Sequence, residues 1–223
     1  MKLLLALDGA LGVFSAAAIG FDESDSHVRA ASAAGGDALE RGLALVENVL
    51  AGCTLSDVAM LAVTTGPGSF TGLRIALSYA KSLAFARDLP LVGVSSFDVV
   101  EPDDVTPPFA AFVSGRKGLS CARFRSSDET VVECGPDDDV AAALARRLAG
   151  GATLACAGAA EGVLAGLGER GIIVCPCPSS ESPPALALAR KALRRTPARN
   201  PHSVRADYGN VVYYARVQGD PRA

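Results

Sequence analysis

Residues 66–81 read Gly66-Pro67-Gly68-Ser69-Phe70-Thr71-Gly72-Leu73-Arg74-Ile75-Ala76-Leu77-Ser78-Tyr79-Ala80-Lys81. The apolar run 60–63 before them has the character of a buried strand, and after Gly72 the apolar spacing becomes helical. A strand therefore empties into a glycine-rich turn, and the turn opens a helix. Gly66, Gly68 and Gly72 permit close backbone approach, while Pro67 fixes its own φ and has no N–H. Ser69 and Thr71 can each cap the helix through a side-chain oxygen. Such a turn offers unpaired N–H groups at a positive helix end, so an anion cradle is one reading. A tight structural turn is the other. Spacing argues against the standard nucleotide loops. The third glycine falls one residue late for Gly-x-Gly-x-x-Gly, and Leu73-Arg74 stand where a P-loop needs Lys followed by Ser or Thr.

The rest of the chain bounds the problem. Its 223 residues suffice for one large or two small domains, and 49% hydrophobic against 20% charged residues supports a packed core. A formal charge of −3 argues against a globally basic nucleic-acid binder, and the lack of Trp weakens any base-stacking platform. The leucines after Lys2 resemble a signal peptide, but Asp8 and Gly9 interrupt the run too early. No apolar run reaches the ~18 residues of a membrane helix. Cysteines 53, 121, 134, 156, 175 and 177 lie mostly in apolar segments, so buried free thiols are the expectation. Only His27 and His202 could join them at a metal, and Cys175-Pro176-Cys177 matches no zinc spacing. The expectation is a cytoplasmic, metal-free protein without membrane attachment.

In chain order, apolar runs at 3–7, 13–19 and 28–33 are joined by short connections and read as an antiparallel meander. Asp37 and Glu40 give a capping-box start to a helix that Gly52 stops. The strand at 60, the glycine turn, a helix over 72–87 and a strand at 91–94 follow. Residues 101–108 are charged and proline-rich, which marks a boundary between domains 1–100 and 101–223. Beyond it the pattern recurs. Strands at 109–113, 119–124 and 131–134 lead to a helix capped by 137–139, then a strand at 153–157, a helix at 159–167 and a strand at 172–175. Pro183 and Pro184 can start a last helix, over 185–195, and the final segment can pack back on the first lobe. The fold class expected is α/β: two actin-like, ribonuclease-H-like lobes, each a mixed five-stranded sheet with flanking helices.

Candidate chemistry is sparse. Asp8 ends the first strand, where an actin-like ATPase carries an Asp that organises a metal-bound phosphate. An Asp closing a strand into a turn with Gly9 is the plainer reading. No nucleophile triad assembles around Ser69. Arg190, Lys191, Arg194 and Arg195 fall on one helical face, either solvated at a helix end or contacting nucleic-acid phosphates. The two helices of the first lobe are apolar on more than one side. Leu39, Leu43, Val46 and Leu50 share one face of the first; Leu73, Leu77, Ala80 and Ala84 share one face of the second, with Ile75 and Tyr79 on another. A helix that only backs a sheet needs a single apolar stripe, so these helices bury a second side.

Gly66 to Ile75, with Ala80-Lys81, Leu83-Ala84, Pro90 and Gly93-Val94-Ser95-Ser96, resembles the TsaB (YeaZ) family. These are catalytically silent relatives of the TsaD/Kae1 proteins that install threonylcarbamoyladenosine in tRNA. Residues 3–8 and 214–216 add to the match. Three departures concern chemistry. Asp8-Gly9-Ala10 replaces Asp-Thr-Ser, and Gly36-Asp37-Ala38 stands in place of His-Ser-Glu. Ser114-Gly115-Arg116 replaces Asp-Ala-Arg. Residues 95–100 also lack the two metal-binding histidines of the catalytic relative. The resemblance implies a non-catalytic scaffold with no tightly bound cofactor, ATP and metal belonging to partner subunits. It implies homodimers when the chain is alone, or pairing with a TsaD-like catalytic subunit, through the two helices named above. A TsaE-like small ATPase and, indirectly, tRNA complete the implied set of partners. A stand-alone actin-like ATPase is the alternative, and a glycoprotease-like peptidase a third.

Overall fold

Residues 3–7 lie in the middle of a sheet and are covered on both faces, which is why their sequence is continuously apolar instead of alternating. The computed structural model describes residues 2–22, 26–34, 38–115, 118–148, 153–157, 167–169, 172–175 and 182–209. The first sheet contains β1 (Lys2–Asp8), β2 (Phe14–Phe21), β3 (Ser26–Ala34), β4 (Val58–Gly66) and β5 (Leu91–Ser95) in the order β3-β2-β1-β4-β5. β1, β2 and β3 pair antiparallel; β4 and β5 join in parallel. The second sheet contains β6 (Phe109–Ser114), β7 (Leu119–Arg125), β8 (Thr130–Pro136), β9 (Thr153–Ala157) and β10 (Ile173–Cys175), ordered β10-β9-β6-β7-β8. Read from its other edge, this is the same topology, with the same antiparallel start and parallel continuation. The mixed five-stranded sheet therefore occurs twice, as the element order predicts.

Helices α1 (Ala38–Val49) and α2 (Phe70–Arg87) pack on the first sheet, α1 over β2 and β3, α2 over β4 and β1. Between the sheets, Ser95 caps the short α3 (Ser96–Val100), a helix too brief for periodicity to announce. The second sheet carries α4 (Asp137–Arg147) on β7 and β8. Its three aspartates occupy the first turn, where they complement the helix dipole, but none makes the expected side-chain cap. The last helix, α5 (Pro184–Ala192), starts at the paired prolines but packs on β1, β2, β4 and β5 of the first sheet. Its Ala185 N–H donates to the buried Ser15 Oγ of β2 at 3.0 Å.

Two cysteines depart from the free-thiol expectation. Cys121 of β7 and Cys134 of β8 are joined in a disulfide, because the hairpin register sets them directly opposite, Cα atoms 4.1 Å apart. Cys53 is a free thiol. The helix expected over 159–167, apart from residue 167, and the segments 116–117 and 210–223 lie outside the described residues, as do Asp37 and the side chain of Glu40.

Candidate functional site

The glycine turn is occupied by the protein itself. Ser69 N–H donates to the Ala10 carbonyl at 2.9 Å, and Gly72 N–H donates to Ser69 Oγ at 3.3 Å, so Ser69, not Thr71, caps α2. A Cβ on Gly68 would lie 2.2 Å from the Ala10 carbonyl oxygen, and one on Gly9 would lie 2.1 Å from that of Gly72. The glycines thus let the turn press backbone to backbone on the β1–β2 turn. Gly66, at φ +101°, faces the Asp207 carbonyl in the same way, and Pro67 follows it at the base of the turn. The segment 204–209 is strapped across this region: Asp207 N–H donates to the Thr65 carbonyl at 2.6 Å, and Val204 fills the space beside Gly93. At the head of α2, Tyr208 packs against Phe70 with ring centroids 5.1 Å apart, and the Arg74 guanidinium lies 5.2 Å from the Phe70 ring. Phe70 is still 47% exposed.

Asp8 is turned into this assembly and is 0% exposed. Thr64 Oγ1 and the Ala10 N–H donate to Oδ1, and the Leu11 N–H donates to Oδ2. Burial raises its pKa to about 6, against the lowering effect of those three donors. The folded state therefore holds a proton that the unfolded chain releases near 3.8. Stability contributed by protonated Asp8 is complete below pH 3.8 and is lost as pH rises to about 6, a change of about 3 kcal/mol. Asp8→Asn should flatten this part of the profile, read as urea midpoints from pH 4 to 7. A mutant profile as steep as the native one there would show that Asp8 does not titrate in this range.

The partner residues expected from sequence divide differently in space. Val46, Leu50, Leu73, Leu77 and Ala80 are buried in the core of this chain. They are the stripe that covers the sheet. Leu39 and Leu43 lie on α1, with side chains outside the described residues. Off that stripe, α2 carries Ile75 and Tyr79, half-buried and packed against the core's edge, and the exposed Ser78 and Ser82, with Phe85 76% exposed near its end. Burial, and then the Glu47 carboxylate of α1, push the Tyr79 phenol up.

The basic helix face is largely matched by acids. Lys191 Nζ donates to the Glu101 carbonyl at 2.9 Å and to Asp103 at 2.5 Å; Arg194 pairs with Asp103 at 3.2 Å, and Arg195 with Asp98 at 2.5 Å. Arg190 is exposed. Asp98 is the hub, because Arg123 and Arg125 of β7 reach it from the other side. Burial opposes its ionisation, but Arg123 and Arg195 outweigh burial and hold its carboxyl below the usual range. Beside this network opens a cleft of about 360 Å³, lined by Glu101, Asp103, Phe109 and Arg125 among others. Sequence reading missed the network because its members lie far apart in the chain. Among the described residues, no three His, Cys, Asp or Glu side chains are grouped to hold a metal, and no helix is long and apolar enough to cross a membrane.

Against known proteins, the family model described as "TsaD: tRNA N6-adenosine threonylcarbamoyltransferase" matches residues 38–159, more than half of the chain. A tRNA N6-adenosine threonylcarbamoyltransferase of Clostridium perfringens is 36% identical over 96 residues, 40% of this chain. The tRNA threonylcarbamoyladenosine biosynthesis protein TsaB of Escherichia coli is 44% identical over 59 residues, 26% of this chain. The matched stretch spans 26% of the length of each of these two relatives. Among solved structures, YeaZ from Pseudomonas aeruginosa superposes with a TM-score of 0.62 at 22% identity, covering 93% of this chain and 100% of that one. A second structure, described as similar to peptidase YEAZ from Pseudomonas aeruginosa, gives 0.63 at 24% identity, covering 93% and 99%. Both likenesses establish the two-lobed fold.

Proposed function

The chain belongs to the TsaD family, in its TsaB/YeaZ form, and from that premise we propose that it is a non-catalytic scaffold of the tRNA threonylcarbamoyladenosine synthase. It pairs with a TsaD-like catalytic subunit and holds that subunit in its active shape. The observation that carries this reading is the state of Asp8 and the glycine turn. Asp8 has both carboxylate oxygens engaged inside the fold, and the turn's N–H groups at Ser69 and Gly72 are spent on Ala10 and Ser69. A phosphate–metal group would need both to face a cleft. The stand-alone ATPase reading asks for that open arrangement, and the fold supports its opposite.

Pairing uses α1 and the exposed side of α2, centred on Ser78 and Ser82 and bordered by the half-buried Ile75 and Tyr79. A TsaE-like ATPase joins the assembled complex, and tRNA meets this subunit only through it, since most of the basic face is neutralised by Asp98 and Asp103. Co-purification with the TsaD-like protein of the same cell, followed by threonylcarbamoyl transfer to tRNA, tests the proposal. Transfer should require this chain; equal transfer without it would remove the scaffold role. Ser82→Glu, on an exposed position, should change stability by no more than about 0.5 kcal/mol. It should nonetheless abolish co-purification, because a charge would be trapped between helices. Pairing at native strength would place the partner elsewhere.

A further inference from the structure

The Cys121–Cys134 bond lies beneath the strap 204–209. A Cβ on Gly209 would come within 2.6 Å of the Cys121 Sγ, 2.9 Å of the Cys134 Sγ and 3.4 Å of Pro67 Cβ. Gly209 therefore rests on both sulfurs at once and on the glycine turn, with no space to spare. Gly209 N–H donates to Asp207 Oδ1 at 2.8 Å, and Asp207 is tied to Thr65, so the strap's end is one connected unit. Tyr208, between them, covers Phe70 at the head of α2. The disulfide belongs to the second sheet, while the turn and α2 belong to the first.

We infer that Cys121 and Cys134 form a thiol–disulfide switch whose state sets how firmly the strap is seated on the glycine turn and the head of α2. Oxidised, the two sulfurs share a bond and occupy the floor beneath Gly209. Reduced, they become two thiols that must stand at van der Waals separation, and Gly209, which spans both, is displaced outward. Cys121 is buried and Cys134 half-buried, so a dithiol reductant attacks Cys134 Sγ. Cys121 leaves as a thiolate and takes up a proton. The reductant's second thiol then resolves the mixed disulfide, frees Cys134 as a thiol, and leaves the reductant as its own cyclic disulfide. Two electrons pass to the protein. Because Gly209 covers both sulfurs, exchange needs the strap to lift, so a seated strap protects the bond as the bond seats the strap. The effect is independent of which partner meets α1 and α2.

Amide hydrogen exchange of the full chain, oxidised and after dithiothreitol, tests this. Reduction should speed exchange at Asp207 and Gly209 by about tenfold or more, while amides of β1 and β4 keep their protection. The Cys121→Ser/Cys134→Ser chain should show the fast strap with or without dithiothreitol, and reoxidation by glutathione disulfide should restore the slow strap only in the native chain. Gly209→Ala should loosen the strap of the oxidised chain, since its methyl meets both sulfurs. Equal strap exchange in the two redox states would overturn the inference. So would thiol alkylation that finds Cys121 and Cys134 both unbonded after treatment with glutathione disulfide.

Discussion

The Arg123→Ala protein should be less stable than the native chain by about 3 kcal/mol, the lower end of the cost of breaking a buried ion pair from one side. Arg123 bonds Asp98 and, at 2.7 Å, Glu101, with its own side chain 11% exposed and its guanidinium 5.1 Å from the Phe97 ring. Its removal leaves two poorly hydrated carboxylates, and it also removes packing against Phe97. The loss stays near the lower end because Arg125 still reaches both acids and Arg195 still holds Asp98. Urea unfolding measures the change directly. Arg125→Ala is the control: its side chain is 41% exposed and its contacts are longer, at 3.4 and 3.5 Å, so less than about 1 kcal/mol is expected. Equal losses for the two variants would mean that burial of Arg123 has no energetic weight.

Gly9→Ala should cost about 3 kcal/mol, the upper range of overpacking, because the methyl meets backbone and not a side chain that can rotate. The new carbon would fall 2.1 Å from the Gly72 oxygen and 2.6 Å from its carbonyl carbon. Either β1 or the first turn of α2 must shift, and Ser69 N–H then parts from Ala10. Gly168→Ala, where an added carbon meets nothing within 4 Å, is the matched control and should be nearly neutral. Thermal midpoints separate the two. A Gly9→Ala chain as stable as the control would show that the two turns are not in firm contact.

Much of this fold is legible because the signals are local. The apolar run 3–7 and the glycine turn with its following helix are each written in adjacent residues, and the repeated element order follows from such segments. The features that were missed join distant residues. Asp98 and Arg123 meet only because α3 lies against β7's sheet, and nothing in either segment marks the other. The strap 204–209 is tied to Thr65 by a backbone bond from Asp207, which leaves no mark in side-chain periodicity. On α2, spacing reveals two apolar faces but not which of them covers the sheet. Burial assigns that role to Leu73, Leu77 and Ala80 and leaves Ile75 and Tyr79 half-buried at the edge of the core. The disulfide did carry a sequence signal. Cys121 and Cys134 are equidistant from the turn at Ser126–Glu129, and a symmetric hairpin sets such positions opposite one another.

The position of α5 bears on how the chain matures during synthesis. Its residues emerge from the ribosome after nearly all of both sheets, yet its apolar face completes the cover of the first sheet, and Ser15 waits for the amide of Ala185. Until residue 192 is available, β1, β2, β4 and β5 present an apolar surface to solvent or to a chaperone. A nascent chain halted near residue 100 should therefore bind holdases and resist native folding, although all five strands of its sheet have been made. The late helix makes the first half of the molecule the last to be finished.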